Sequence, residues 1–248
     1  MAATTEQALD GISLDELDAR AELLKRVDVK YLVPQGDFAA LLDALAADHD
    51  VLDIDGRRRF AYRSVYFDSA DLRCYRDHVD GARPRFKART RCYLDTGACH
   101  FEVKLKTRDD QTDKRQLDHP PDADDRLPAA ARELLDRTLA ETGIQPVGPL
   151  APVLCTLFDR ITLAARSGGS RLTCDLALRL AQPDGAEARL DERLVLVETK
   201  SADGRSGADD VLRRLGVLPL SLSKYRAGIE LLIAPRDTPL RRYFESSA

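Results

Sequence analysis

Residues 84–108 read Pro-Arg-Phe-Lys-Ala-Arg-Thr-Arg-Cys-Tyr-Leu-Asp-Thr-Gly-Ala-Cys-His-Phe-Glu-Val-Lys-Leu-Lys-Thr-Arg. In a β-strand, alternate side chains share a face. The first half then places Arg85, Lys87, Arg89 and Arg91 on one face, and Phe86, Ala88, Thr90 and Cys92 on the other. After a break at Gly97, the second half sets Glu102, Lys104, Lys106 and Arg108 against Phe101, Val103 and Leu105. Two neighbouring strands thus carry seven cations and one carboxylate on their polar faces. A solvated face would explain one such strand. Like charges opposite one another in a sheet are destabilising, however. The repeated pattern therefore predicts that an anion supplies the missing countercharge, with phosphate, in a chain or a nucleotide, as the expected ion.

The same alternation extends outward from this pair. Ser13-Leu-Asp-Glu16 is a capping-box pattern that opens a short helix to about Leu24. Residues 26–33 alternate as a strand with Arg26, Asp28 and Lys30 on one face; Pro34 stops it, and Asp37 is placed to cap a helix to about Ala47. A strand over Tyr62–Asp68 and a helical turn near 71–78 precede the basic pair, and Asp109-Asp110 marks a turn into Gln111–Asp118. A helix is predicted at 129–141, then strands at 153–165, 171–180 and 194–200, and helices at 208–215 and 224–233. Ser167-Gly-Gly-Ser170 is a hairpin signal between two of these strands. Eight strands, nearly all with ions on one face, predict an α+β fold built on a closed eight-stranded antiparallel β-barrel. Its interior is polar and basic, a tunnel, and helices cover its apolar outside, the reverse of the usual plan. A two-layer α+β sheet is the alternative.

Size and composition bound the function. The 248 residues suit one large domain or two small ones, and 44% hydrophobic with 32% charged residues is an ordinary globular balance. We divide the chain into an N-terminal extension (1–19), one domain (20–234) and a C-terminal tail (235–248). A net charge of −4 argues against general nucleic-acid binding, so a cationic site has to be local. Of 38 basic residues only eight are Lys, and six of these fall in predicted strands. A chain that otherwise uses Arg keeps Lys where a compact ammonium donor is needed. The five Cys form no Cys-x-x-Cys pair and are odd in number, so neither a disulfide framework nor a zinc site is expected. The N-terminus carries no leader pattern and no apolar run approaches 18 residues, so the expectation is a reduced, cytoplasmic protein without a transmembrane segment. A membrane-protein partner stays open.

At this point the sequence resembles a known family. Lys30-Tyr31, Ser64-Val-Tyr-Phe-Asp68, Arg89-Thr-Arg-Cys-Tyr93, Phe101-Glu-Val-Lys104, Arg160, Thr173-Cys-Asp175, Val197-Glu-Thr-Lys200 and Ser223-Lys-Tyr225 follow in the order of the vacuolar transporter chaperone (VTC) domain. This is the polyphosphate polymerase branch of the CYTH-like triphosphate tunnel metalloenzymes, and the similarity runs from about residue 20 to 232. The resemblance implies an eight-stranded tunnel barrel. It implies that Lys30, Arg89, Arg91, Lys104, Lys114, Arg160, Lys200 and Lys224 bind phosphates, and that Glu198 binds a divalent metal, Mn²⁺ or Mg²⁺. ATP and pyrophosphate or polyphosphate are the implied partners. Two departures stand out. Triphosphate-hydrolysing relatives carry Glu-x-Glu-x-Lys where this chain has Arg26-Val-Asp-Val-Lys30. The regulatory domain and membrane segments of the eukaryotic polymerases have no counterpart here.

Further candidates are Arg26, Lys87, Lys106, Glu102, Asp175 and Ser223. Glu102 and Glu198 suit either a divalent metal or pairing with neighbouring cations. Asp175 suits orientation of a cation, and Tyr66, Phe67 and Tyr93 suit packing. Ser223 stands where a helix begins, either as its cap or beside backbone N–H groups that meet phosphate. A phosphate acceptor is already anionic and needs no general base, and the four His are scattered. The expected activity is transfer of the ATP γ-phosphate to a growing polyphosphate chain. A triphosphatase acting on inorganic or nucleoside triphosphate and a non-catalytic polyphosphate- or nucleotide-binding module are the alternatives.

Overall fold

The structure, a computed structural model, describes residues 5–21, 27–108, 112–183 and 185–247. Lys25, Arg26 and the turn expected at Asp109-Asp110 lie outside these residues. The strands are β1 (Gly11–Ile12), β2 (Val27–Pro34), β3 (His49–Leu52), β4 (Phe60–Asp68), β5 (Arg85–Tyr93), β6 (Cys99–Lys106), β7 (Thr112–Asp118), β8 (Ala151–Ala165), β9 (Arg171–Ala181), β10 (Glu187–Leu190), β11 (Leu194–Ser201) and β12 (Phe244–Ser247). The α-helices are α1 (Leu14–Ala21), α2 (Gln35–Leu45), α3 (Arg73–Val79), α4 (Ala129–Thr142), α5 (Gly207–Arg214) and α6 (Lys224–Gly228), the last continued by a π-helical turn over Ile229–Ile233.

The class is mixed α+β, as expected, but the closed eight-stranded barrel is not found. Twelve strands join one sheet, whose main path runs β12-β10-β9-β8-β4-β5-β6-β7, with β11 and β2 branching from β9. Among the described residues this ladder does not close: β7 pairs with β6, and β2 pairs with β11. The four unforeseen strands, β1, β3, β10 and β12, are two to four residues long. A period of two leaves almost no trace over so short a run.

The chain forms two compact units. The first comprises Met1–Phe60, Asp159–Leu178 and Asp191–Leu222; the second comprises Ala61–Phe158, Arg179–Leu190 and Ser223–Ala248.

In the first unit β11 lies between β2 and β9, antiparallel to both. Tyr31, Val33, Val195, Val197, Leu172 and Cys174 turn to one side, where Phe38, Leu41, Leu42 and Leu45 of α2 and Val211 and Leu212 of α5 bury them. The spacing of the α2 set is that of one helical face. The expected capping box holds, since Ser13 N donates to Glu16 Oε2 at 2.9 Å and Glu16 N to Ser13 Oγ at 3.3 Å. Asp37 does not cap α2. The helix starts at Gln35 with Pro34, which has no capping side chain, at the N-cap position, so Asp37 falls inside the first turn, where its charge suits the helix dipole.

In the second unit β4, β5, β6 and β7 pair in sequence order. The exposure of β5 alternates residue by residue, with Phe86, Ala88, Thr90 and Cys92 buried. Helix α3 packs on β5, and α4 packs on β6 and β7. Gly228 meets β8 so closely that a Cβ there would run into Leu154 Cδ2. One cysteine expectation is corrected: Cys92 and Cys99 form a disulfide. The tight β5–β6 hairpin places them directly opposite in register, a juxtaposition that depends on the turn rather than on their spacing. Cys74, Cys155 and Cys174 are free thiols. Among the described residues no helix is long and apolar enough to cross a membrane.

Candidate functional site

Register decides which charges meet on the second unit's polar face. Lys87 stands opposite Lys104, and Lys104 opposite Lys114, so three lysines form one row across β5, β6 and β7. Arg85 and Lys106 are opposite one another in the next row. In the row on the other side Arg89 faces Glu102, and here a carboxylate intervenes. Arg89 Nε donates to Glu102 Oε2 at 2.7 Å, while Arg91 Nη1 and Lys114 Nζ approach Oε1 at 4.0 and 3.7 Å. Glu102 is 2% exposed. Burial alone would raise its carboxyl, but Arg89, Arg91 and Lys114 outweigh burial and hold it well below the usual carboxylate range. It is thus a fixed counter-ion and a poor proton acceptor at neutral pH.

Aromatic rings underlie these cations. Arg89 lies over Tyr66, Arg91 over Tyr62, Lys87 over Tyr225 and Lys224 over Phe158, at 5.6, 6.0, 5.6 and 4.6 Å from the ring centroids. Tyr66 does more than pack: Arg89 Nη1 donates to its hydroxyl at 3.0 Å. Burial raises the Tyr66 phenol, yet Arg89, Arg91 and Lys224 bring it below its ordinary value. Ser223 is the N-cap of α6, accepting from Arg226 N, and also accepts from Lys87 Nζ at 3.1 Å. Of its two expected roles, the capping one is realised. Phe67 packs edge-on against Phe101, and Tyr93 tilts against Tyr62.

The first unit carries a second polar face, on the side of β2, β11 and β9 away from α2 and α5. Glu198 takes Lys30 Nζ on Oε1 at 3.0 Å and Lys200 Nζ on Oε2 at 2.9 Å. Lys200 Nζ also donates to Thr173 Oγ1 at 2.7 Å. Burial pushes the Lys200 ammonium down to about 8, against the pull of Glu198. Arg160 forms a two-pronged pair with Asp175, Nε to Oδ1 at 2.6 Å and Nη2 to Oδ2 at 2.9 Å, so Asp175 orients a cation. Arg171, not among the expected residues, stands opposite Lys200 in register. It shares its face with Thr173 and Asp175, and strand alternation alone would have identified it. Its guanidinium is anchored on α1, donating to Asp18 Oδ1 at 2.9 Å.

The expected residues thus form two groups. Arg89, Arg91, Lys104, Lys114, Lys87, Lys106, Glu102, Lys224 and Ser223 belong to the second unit; Lys30, Arg160, Lys200, Glu198 and Asp175 belong to the first. Arg26 is outside the described residues. A protein-built metal cage does not fit the donors present. Among the described residues no three His, Cys, Asp or Glu side chains gather, and Glu198, Glu102 and Asp175 are each engaged by cations. A concavity of about 360 Å³ beside the disulfide, lined by Arg63, Tyr93 and Asp124 among others, contains none of the expected residues.

A model of the VTC domain matches residues 25–233, and the chain belongs to that family. No curated protein matches the sequence. Solved structures resemble it distantly. An adenylyl cyclase candidate from Hippeastrum, described as having a dominant triphosphatase activity, is 13% identical with a TM-score of 0.49, over 85% of this chain and 97% of that one. A Pyrococcus horikoshii protein is 16% identical with a TM-score of 0.44, over 81% and 98%. An S. pombe RNA triphosphatase is 11% identical with a TM-score of 0.29, over 87% and 85%.

Proposed function

We propose that this member of the VTC domain family is a phosphoryl-transfer enzyme that moves the γ-phosphate of ATP onto a growing polyphosphate chain. One observation supports the reading above all: Lys87, Lys104 and Lys114 stand side by side across three strands. Such a row costs stability in the free protein. A condensed phosphate, with one or more charges on every unit, can meet several cations of such a row at once, as a single divalent anion does not. Glu102 is the one carboxylate that Arg89, Arg91 and Lys114 share on this face among the contacts described.

The chemistry asks little of the protein beyond position and charge. A terminal oxygen of the phosphate chain attacks the γ-phosphorus in line. The bond from that phosphorus to the β–γ bridging oxygen breaks, ADP departs, and the chain is one phosphate longer. The acceptor oxygen is already anionic, so no proton has to be removed. This agrees with a Glu102 held too acidic to act as a base. In the second unit Arg89, Arg91, Lys104 and Lys114 would neutralise the equatorial oxygens; in the first, Lys30, Lys200 and Arg160 offer the same type of contact.

The test is product analysis. Purified protein is incubated with ATP and Mg²⁺ or Mn²⁺, and the products are resolved by gel electrophoresis. Long phosphate chains with stoichiometric ADP are expected. Orthophosphate alone would replace this reading with a triphosphatase, and binding without turnover would replace it with a binding module.

A further inference from the structure

Among the described residues, three buried donors on adjoining strands of the second unit have no hydrogen-bond partner: Thr156 Oγ1, Ser64 Oγ and Arg91 Nε. Their strands, β8, β4 and β5, are consecutive in the sheet. Ser64 is 1% exposed and Thr156 0%, and Ser64 stands directly opposite Arg91 in register. By strand alternation Ser64 shares its face with Tyr62 and Tyr66, the rings under Arg91 and Arg89. Thr156 likewise shares the face of Phe158, whose ring stacks on Tyr62 at 5.3 Å and lies under Lys224. All three donors therefore belong to the cationic face. Buried polar groups are nearly always satisfied, and a cluster of exceptions calls for a reason.

We propose that Ser64, Thr156 and Arg91 form a further oxyanion-binding niche, in which two hydroxyls and Arg91 Nε–H donate to the oxygens of one phosphoryl group. The proposal rests on reading this face as a phosphate site. Hydroxyls suit a crowded cationic surface, since they add donors without adding charge. They fix the orientation of a phosphoryl group that the lysine row attracts. Arg91 links the two tasks, since its Nη1 lies 4.0 Å from Glu102 while its residue stands opposite Ser64 in register.

A hydroxyl without a partner weakens the free protein but strengthens the complex, so stability and affinity should move in opposite directions. Ser64→Ala and Thr156→Val are each compared with wild type by thermal melting without ligand and by calorimetry with tripolyphosphate. Each should keep or raise Tm and weaken binding about tenfold, about 1.4 kcal/mol. Thr156→Ser, which keeps the hydroxyl, should bind as wild type, and Thr156→Val carries the test alone if Ser64→Ala folds poorly. Thr138→Val is the opposite control. It removes a bond that Thr138 Oγ1 makes to Leu134 O at 2.6 Å, and should lower Tm while leaving affinity alone. Unchanged affinity in both Ser64→Ala and Thr156→Val would overturn the niche and leave the phosphate face standing. Failure of the wild type to bind tripolyphosphate would remove the functional reading itself, and the niche with it.

Discussion

At the scale of single residues, two charges decide how the faces behave. Glu102 holds Arg89, with Arg91 and Lys114 at longer range. Removing one partner of a buried ion pair typically costs about 3–5 kcal/mol, because the other is left uncompensated. Glu102→Gln should therefore melt well below wild type in a buffer free of multivalent anions. Tripolyphosphate should recover more of its Tm than it adds to wild type, since the ligand then supplies the missing charge; equal melting curves would show that Glu102 is not the counter-ion. Lys200 gives a pH signature. A lysine in the unfolded chain titrates near 10.4, and Lys200 in the fold near 8. Between those values the unfolded chain holds the proton and the folded one does not, so stability rises with pH from about 8 toward 10. Below 8 both forms are charged and the burial cost is fully present. Urea melts of Lys200→Met across that range should lack the rise seen in wild type; identical slopes would contradict the assignment.

At the scale of elements, the sequence was legible wherever a period ran long enough. Arg85, Lys87, Arg89 and Arg91 alternate with four buried neighbours along β5 as expected, and Phe101, Val103 and Leu105 do the same on β6. The helices over α4 and α5 fall within a residue or so of their expected bounds. Short strands were not legible, because β3, β10 and β12 take four residues each and draw their order from neighbours. Nor was anything that depends on register. The Cys92–Cys99 disulfide, the Arg89–Glu102 pair and the lysine row all require knowing which residue stands opposite which. Arg171 is a different case, since the period of two already placed it beside Thr173. The role of Tyr66 was hidden for a third reason: an aromatic on a strand reads as packing until a donor such as Arg89 is seen to reach its hydroxyl.

At the scale of the whole molecule, a chain of net charge −4 concentrates cations on one face of each unit. The acidic remainder makes the cationic faces local features of the surface. Family membership over residues 25–233 and the cross-strand lysine row point to the same ligand class by independent routes. On the reading proposed above, these faces bind condensed phosphate. Calorimetric melting of the intact chain with tripolyphosphate, and with sulfate at equal ionic strength, tests it most directly. At a hundredfold excess over Kd, tripolyphosphate should add about 2.7 kcal/mol of stability, a rise in Tm of several degrees for a chain of this size. Sulfate should add far less; equal stabilisation by the two anions would mean that neither face is built for condensed phosphate.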